Sequence, residues 1–131
     1  MTRGRAILFA ALAVAGALSA GGFSPGAALA HSLLVRSEPG RSATVTRAPE
    51  RVRLWFSERI EPVYAKLSVW SEAAKQVDAG DAAVDSNDPT ILSVSTPTLG
   101  PGRYTARFRV LSVDGHVVES AFAFTVKAAV R

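Results

Sequence analysis

Two histidines and one aspartate are the residues of this 131-residue chain whose types and spacing best fit a chemical site. His31 directly follows Ala28-Leu29-Ala30, while Asp114 and His116 stand on either side of Gly115. Residues two apart in an extended segment project to the same side, so Asp114 and His116 can address one ligand. Since the chain has only two histidines, their positions call for a chemical explanation.

The first thirty residues have the layout of a secretory signal peptide. Two arginines precede an apolar stretch from Ala6 to Leu18, and the segment closes on an A-x-A site at Ala28-Leu29-Ala30. The apolar stretch, about 13 residues, is shorter than the ~20 that a membrane-spanning helix needs. We therefore expect a signal peptide over 1–30, cleavage after Ala30, export to the periplasm, and a mature domain over 31–131 without a transmembrane segment.

Cleavage after Ala30 would give His31 two nitrogen donors, its free α-amine and its ring Nδ1. With the imidazole of His116 and the carboxylate of Asp114 they form a set of three nitrogens and one oxygen. Such donors in a tetragonal arrangement favour Cu(II) or Ni(II), and Cu(II) stands highest in the affinity order. Zinc can use the same ligands, but a tetragonal set containing an amine suits it less well. We therefore expect His31, Asp114 and His116 to bind Cu(II).

Composition excludes several other classes of function. The chain has no cysteine, which removes disulfides, thiolate nucleophiles and iron–sulfur clusters, and its one methionine is Met1. Soft Cu(I) prefers sulfur ligands, so a methionine-rich Cu(I) site is excluded too. The formal charge of +4 falls to +2 without residues 1–30, because 13 basic and 11 acidic side chains remain. Nucleic-acid binding needs a clustered basic face, so we expect no nucleic-acid partner.

Hydrophobic patterning predicts an all-β domain. Apolar residues alternate with polar ones in segments 51–56, 66–69, 103–110 and 121–126, and turn residues such as Pro101-Gly102 separate such segments. About 100 residues of this pattern predict one immunoglobulin-like, antiparallel Greek-key β-sandwich of about seven strands. Tyr104, just after Gly102, is placed to form a tyrosine corner. Segment 72–83 is alanine-rich and fits either a helical turn or a loop over one edge.

Three arginines fall on the polar face of one predicted strand, at Arg103, Arg107 and Arg109. Charged residues belong on the solvated face of a half-buried sheet, which is the simplest interpretation. The alternative is a docking surface for an acidic partner. The two tryptophans, Trp55 and Trp70, are expected to be packing residues.

The residues from His31 onward resemble the CopC family of copper-binding proteins. The most specific segments are LGPGRY at 99–104 and SVDGH at 112–116, followed by FAFTV at 122–126. The resemblance implies a periplasmic β-sandwich that binds Cu(II) through the N-terminal histidine and the D-G-H segment. It also implies that Glu58 lies beside the ligands or acts as a weak additional ligand.

Some relatives add a methionine-rich Cu(I) loop or are fused to a membrane domain of the CopD type. This chain has neither feature, so the resemblance implies a Cu(II)-only member whose CopD-like inner-membrane partner is a separate protein.

The expected function is copper sequestration, homeostasis or delivery to a membrane partner, without enzymatic activity. Two alternatives stay open from the residues alone. One is a small copper-dependent oxygenase that uses an N-terminal histidine chelate, and the other is a metal-free structural β-sandwich. No Ser/His/Asp triad can be assembled, because both histidines have a better explanation.

Overall fold

The computed structural model describes residues 33–128, so the predicted signal peptide and His31 lie outside the described residues. Within this range the chain forms eight strands and one 3-10 turn, Pro62–Tyr64. The strands are β1 (Leu34–Glu38), β2 (Thr44–Val45), β3 (Arg51–Phe56), β4 (Lys66–Ser71), β5 (Ala83–Val84), β6 (Ile91–Ser95), β7 (Gly102–Leu111) and β8 (Val117–Val126).

The strands form two four-stranded sheets, in the orders β1-β3-β6-β5 and β2-β8-β7-β4. The chain passes repeatedly between the sheets, as Greek-key connections do, and the predicted β-sandwich class is confirmed. One detail differs from a purely antiparallel arrangement, because β2 pairs with β8 in parallel at Thr44 and Thr125. The two short strands β2 and β5 also bring the count above the expected seven.

Alternation along the strands determines which side chains enter the core. On β3, Val52 and Leu54 are fully buried while Arg51 and Arg53 are exposed. On β7, the three arginines lie on the exposed face, as predicted. Rings from both sheets meet in the core, where Phe56 and Phe108 pack edge-to-face with centroids 5.7 Å apart. The aromatic and aliphatic side chains of the two inner faces therefore supply the stabilising burial of this disulfide-free domain.

The predicted tyrosine corner is present. Tyr104 is buried near the start of β7, and its hydroxyl donates a hydrogen bond of 2.7 Å to the carbonyl of Gly100. Its ring stacks on Phe124 of β8, with centroids 5.6 Å apart. This contact fixes the entry of the chain into the longest strand pair of the sheet.

The segment after β4 is a loop and contains no helix between Glu72 and β5. In this loop, acidic side chains accept hydrogen bonds from backbone amides. Asp78 accepts hydrogen bonds from the amides of Val69 and Gly80, and Asp81 accepts one from the amide of Ser95. Of the two interpretations of this segment, the loop over one edge is therefore confirmed.

Strands β7 and β8 determine the position of the D-G-H segment. These strands pair over ten residues each, and their register ends at Leu111 opposite Val117. The turn between them, 112–116, carries the predicted D-G-H segment. Within residues 33–128 no helix has the length and apolar character to cross a membrane.

Replacing Tyr104 by phenylalanine tests the tyrosine corner. The free energy of unfolding is expected to fall by about 1 kcal/mol, because the carbonyl of Gly100 loses its hydrogen bond. Urea denaturation followed by tryptophan fluorescence measures the change. Tyr64→Phe, at an exposed tyrosine, is the matched control. Equal stability of the Tyr104 variant and the native protein would contradict a stabilising corner.

Candidate metal centre

Three potential ligand side chains meet at one end of the sandwich: Glu58, Asp114 and His116. One ligand atom from each lies within 4.8 Å of the others. Metal–nitrogen and metal–oxygen bonds of about 2.0–2.2 Å place opposite ligands about 4 Å apart, so this spacing suits donors around a single ion. Asp114 and His116 are exposed, whereas Glu58 is partly buried. The structure therefore brings together two of the three predicted ligands and the residue expected beside them.

The turn between β7 and β8 gives Asp114 and His116 their positions. Gly115 has a φ of 89°, a left-handed conformation that residues other than glycine rarely adopt. Its amide donates to the carbonyl of Ser112 over 2.9 Å, and the amide of Ser112 donates to the carbonyl of His116 over 2.9 Å. Gly115 therefore lets the backbone turn between the two candidate ligands.

Ser112 is the buried centre of this turn, with a relative exposure of 1%. In addition to its two backbone hydrogen bonds, its hydroxyl oxygen accepts a hydrogen bond of 3.2 Å from the amide of His116. The side chain and backbone of one residue thus hold the backbone of His116 from two directions. A buried polar residue with its bonds satisfied in this way restricts the turn to one conformation.

Glu58 comes from the other sheet, two residues after β3 ends at Phe56. Backbone contacts join its segment to the ligand turn. Ile60 forms a β-bridge with Ser112, and the amide of Val113 donates to the carbonyl of Arg59 over 3.0 Å. The two halves of the candidate centre are therefore connected through main-chain bonds immediately beside the ligand side chains.

One carboxylate oxygen of Glu58 has unusual surroundings. Its Oε2 is buried and, within residues 33–128, is the one buried side-chain oxygen or nitrogen without a hydrogen-bond partner. Burying a carboxylate oxygen without a partner costs free energy, so such an atom calls for a cation or a donor nearby. A cation bound beside Glu58 would supply such a partner.

The sequence did not point to the main-chain connection between the two halves of the centre. The one sequence feature related to this connection is the position of Ser112, which continues the alternation of buried residues at Phe108 and Val110. A serine at a core position next to a glycine turn indicates a structural hydrogen bond. Its β-bridge partner, Ile60, and the neighbouring Arg59 are remote in sequence, so the connection itself could not be predicted.

Known proteins are similar to this chain in sequence. The family model described as "CopC domain" matches residues 34–127. "Protein YobA" of Escherichia coli (strain K12) is 32% identical over 99 residues, covering 75% of this chain and 80% of that protein. "Copper resistance protein C" of Xanthomonas campestris pv. juglandis is 29% identical over 125 residues, covering 91% of this chain and 98% of that protein.

A solved structure is also similar. The crystal structure of CopC from Methylosinus trichosporium OB3b superposes with a TM-score of 0.67 at 35% identity. The match covers 77% of this chain and 98% of that one. Sequence and fold therefore lead to the same group of proteins.

Replacing Ser112 by alanine tests how the turn is held. The amide of His116 is expected to exchange with solvent about tenfold faster, because it loses its side-chain acceptor and the turn opens more often. NMR-detected hydrogen exchange measures this rate. The control is Thr96→Val, since Thr96 is a buried hydroxyl residue that bonds to the carbonyl of Pro49. Unchanged exchange at His116 in Ser112→Ala would show that the backbone bonds alone hold the turn.

Proposed function

The chain belongs to the CopC family, whose members are copper-binding proteins of resistance and transport, and we propose that this member binds one Cu(II) ion outside the cytoplasm. Family members are periplasmic proteins and not enzymes, so neither the copper oxygenase nor the metal-free sandwich is retained. Beyond the copper binding of the family, we propose the oxidation state of the ion, its ligands and its use. The protein would sequester the bound ion, which limits copper toxicity, or pass it to another protein.

The observation that supports this proposal best is the convergence of Glu58, Asp114 and His116. The described donors are one imidazole and carboxylates, and residues 33–128 contain neither cysteine nor methionine. Nitrogen and oxygen donors suit Cu(II), whereas Cu(I) prefers sulfur. A cation near Glu58 would also satisfy the buried Oε2, which has no partner among the described residues.

His31 completes the proposed site if the signal peptide is cleaved after Ala30. The carbonyl of Leu33 accepts a hydrogen bond of 2.7 Å from the amide of Ser57, the residue just before Glu58. His31 precedes Leu33 by two residues, and two residues of extended chain reach about 7 Å. Chain connectivity therefore allows the new N-terminus to reach the cluster, and cleavage would couple export to completion of the site.

Each ligand has a distinct role in the proposed site. The α-amine and Nδ1 of His31 would close a chelate around the ion, while His116 supplies a ring nitrogen and Asp114 an oxygen. Glu58 would accept a hydrogen bond from the α-amine or contact the ion weakly, as carboxylates beside metal ligands commonly do. Because Asp114 and His116 are exposed, a competing ligand can approach them, which suits an ion that must be released again.

The partner proposed for delivery is a separate inner-membrane protein of the CopD type. This part of the proposal depends on the resemblance to the family. The exposed position of the ligand turn at one end of the domain supports it, since transfer requires the donor and acceptor ligands to meet at a surface.

Loss of a ligand tests the site directly. In the processed chain, acetylation of the N-terminus or His116→Ala is expected to weaken Cu(II) binding by more than the roughly 10–100-fold that a residue beside the ligands contributes. Competition titration against a chelator of known affinity measures the constant, after intact mass has shown that the chain starts at His31. Arg53→Ala, on the outer face of β3, is the control. Equal Cu(II) affinity of the acetylated and free chains would rule out the amine as a ligand.

Replacing Glu58 by glutamine tests whether this residue contributes to copper affinity or only to the stability of the fold. Without copper, the free energy of unfolding is expected to stay level or rise, because a buried charged oxygen without a partner is removed. With copper, the affinity is expected to fall about 10–100-fold. Thermal unfolding with and without Cu(II) measures both effects. A metal-free variant that is much less stable, together with unchanged affinity, would assign Glu58 to the fold alone.

A further inference from the structure

Exposed apolar side chains gather around the candidate metal centre. Five large apolar residues of the described chain are exposed, and four lie at this end of the molecule. Val63 and Tyr64 belong to the 3-10 turn and are 87% and 56% exposed, while Val113 and Val117 stand on either side of the D-G-H segment and are 51% and 56% exposed. A cluster of this kind around a site is typical of a surface that another molecule covers.

A shallow groove runs from this cluster along the outer face of the β7–β8 sheet. Its first part, about 260 Å³, is lined by apolar residues and by Arg109. Tyr64, Leu111 and Val117 are among its lining residues. Val117 follows His116 directly, so this part of the groove begins at a proposed copper ligand.

The groove continues into a basic part of about 490 Å³, and Arg109 lines both parts. Lys66 and Arg107 are its other cations, and Glu119 is its one acid. Small side chains such as Ala121 leave the space between them. The two parts share Arg109 and together form a concave strip that is apolar near the candidate metal centre and positively charged away from it.

Two of the cations in this strip face each other and repel. Lys66 lies directly opposite Arg109 in the register of β4 and β7, an arrangement of like charges that destabilises a sheet. Among the described residues, Glu119 is the only acid paired with them, at 3.6 Å from Arg109, and both side chains are well exposed. Arg107 lies over the ring of Trp70, 5.2 Å from its centroid. The self-repulsion between Lys66 and Arg109 would be relieved by carboxylates of a bound molecule.

We propose that this strip, formed by Tyr64, Val117, Lys66, Arg107 and Arg109, is the docking surface for an acidic segment of a second protein. Carboxylates of the segment would lie over the three cations, and an apolar side chain would enter the groove lined by Tyr64 and Val117. The inference rests on the proposed function in one respect, since docking there would bring the partner's metal ligands beside the ligand turn. The strip then determines which protein exchanges copper with this one.

Two other occupants fit the strip less well. A second copy of this chain meeting the same face would bring its own Lys66, Arg107 and Arg109 against these cations. An anionic lipid surface would neutralise the charge, but it would cover Asp114 and His116 without offering ligands to receive the ion. A concave strip with an apolar part and a basic part also matches the side chains of a peptide better than a flat headgroup layer.

The test uses the copper-free chain and a short synthetic peptide that alternates glutamate and leucine. In NMR titration, we expect amide shifts confined to the 3-10 turn Pro62–Tyr64, β4, β7 and the start of β8. The same peptide with lysine in place of glutamate is expected to cause none. The double variant Lys66→Gln, Arg107→Gln is expected to bind the acidic peptide about tenfold more weakly and to lose most of the salt dependence of binding. Tyr64→Ser is expected to weaken binding while leaving its salt dependence.

Arg53→Gln, which removes an exposed arginine from the other sheet, is the matched control and is expected to bind the peptide normally. The proposal is overturned if both peptides bind alike, if Arg53→Gln weakens binding as much as the double variant, or if no binding occurs. Tighter association with phosphatidylglycerol vesicles than with the peptide would overturn it in favour of a membrane, and a dimer broken by the double variant would overturn it in favour of self-association.

Copper binding is measured separately on the same variants. Unchanged Cu(II) affinity in Lys66→Gln, Arg107→Gln is the expected result, since neither residue belongs to the proposed ligand set. Because the peptide experiment contains no metal, failure of the native chain to bind Cu(II) would overturn the proposed function without altering the docking result.

Discussion

The main-chain bonds between the β7–β8 turn and the segment after β3 hold together the two parts of the candidate centre. Ser112 bridges Ile60, and Val113 donates to Arg59, so the two segments are joined at adjacent positions. Each sheet alone would present only part of the cluster. Backbone bonds between two packed sheets are more rigid than contacts between long side chains, and they fix the segment of Glu58 relative to the ligand turn before any ion is present.

The candidate centre combines two exposed side chains, which are the proposed ligands, with a partly buried carboxylate. Asp114 and His116 face solvent at the tip of the sandwich, whereas one oxygen of Glu58 is buried without a described partner. A fully enclosed site would hold an ion more firmly but would block ligand exchange. An open site with one buried charged oxygen suits a protein that carries its metal ion as cargo.

The surface next to the candidate centre carries exposed apolar residues and, further away, a group of cations. Val113 and Val117 stand on either side of the D-G-H segment, and the strip that begins at Val117 ends among the cations of β4 and β7. The outer face of a sheet is usually polar and featureless, as the simplest interpretation of the arginines assumed. Here the register of β4 and β7 places Lys66 opposite Arg109. The outer face is therefore positively charged away from the candidate metal centre and apolar beside it.

Alternation of apolar and polar residues determined the sandwich class, the buried faces of β3, β7 and β8, and the position of the tyrosine corner at Tyr104, because side-chain direction in a strand depends only on local period. The D-G-H spacing likewise placed Asp114 and His116 on one side of a turn. The residue pattern could not determine the parallel pairing of β2 with β8 or the opposition of Lys66 and Arg109, and only the family resemblance implied that Glu58 lies beside that turn. These features join residues distant along the chain, and only the packing and register of the folded sheets decide which of them meet.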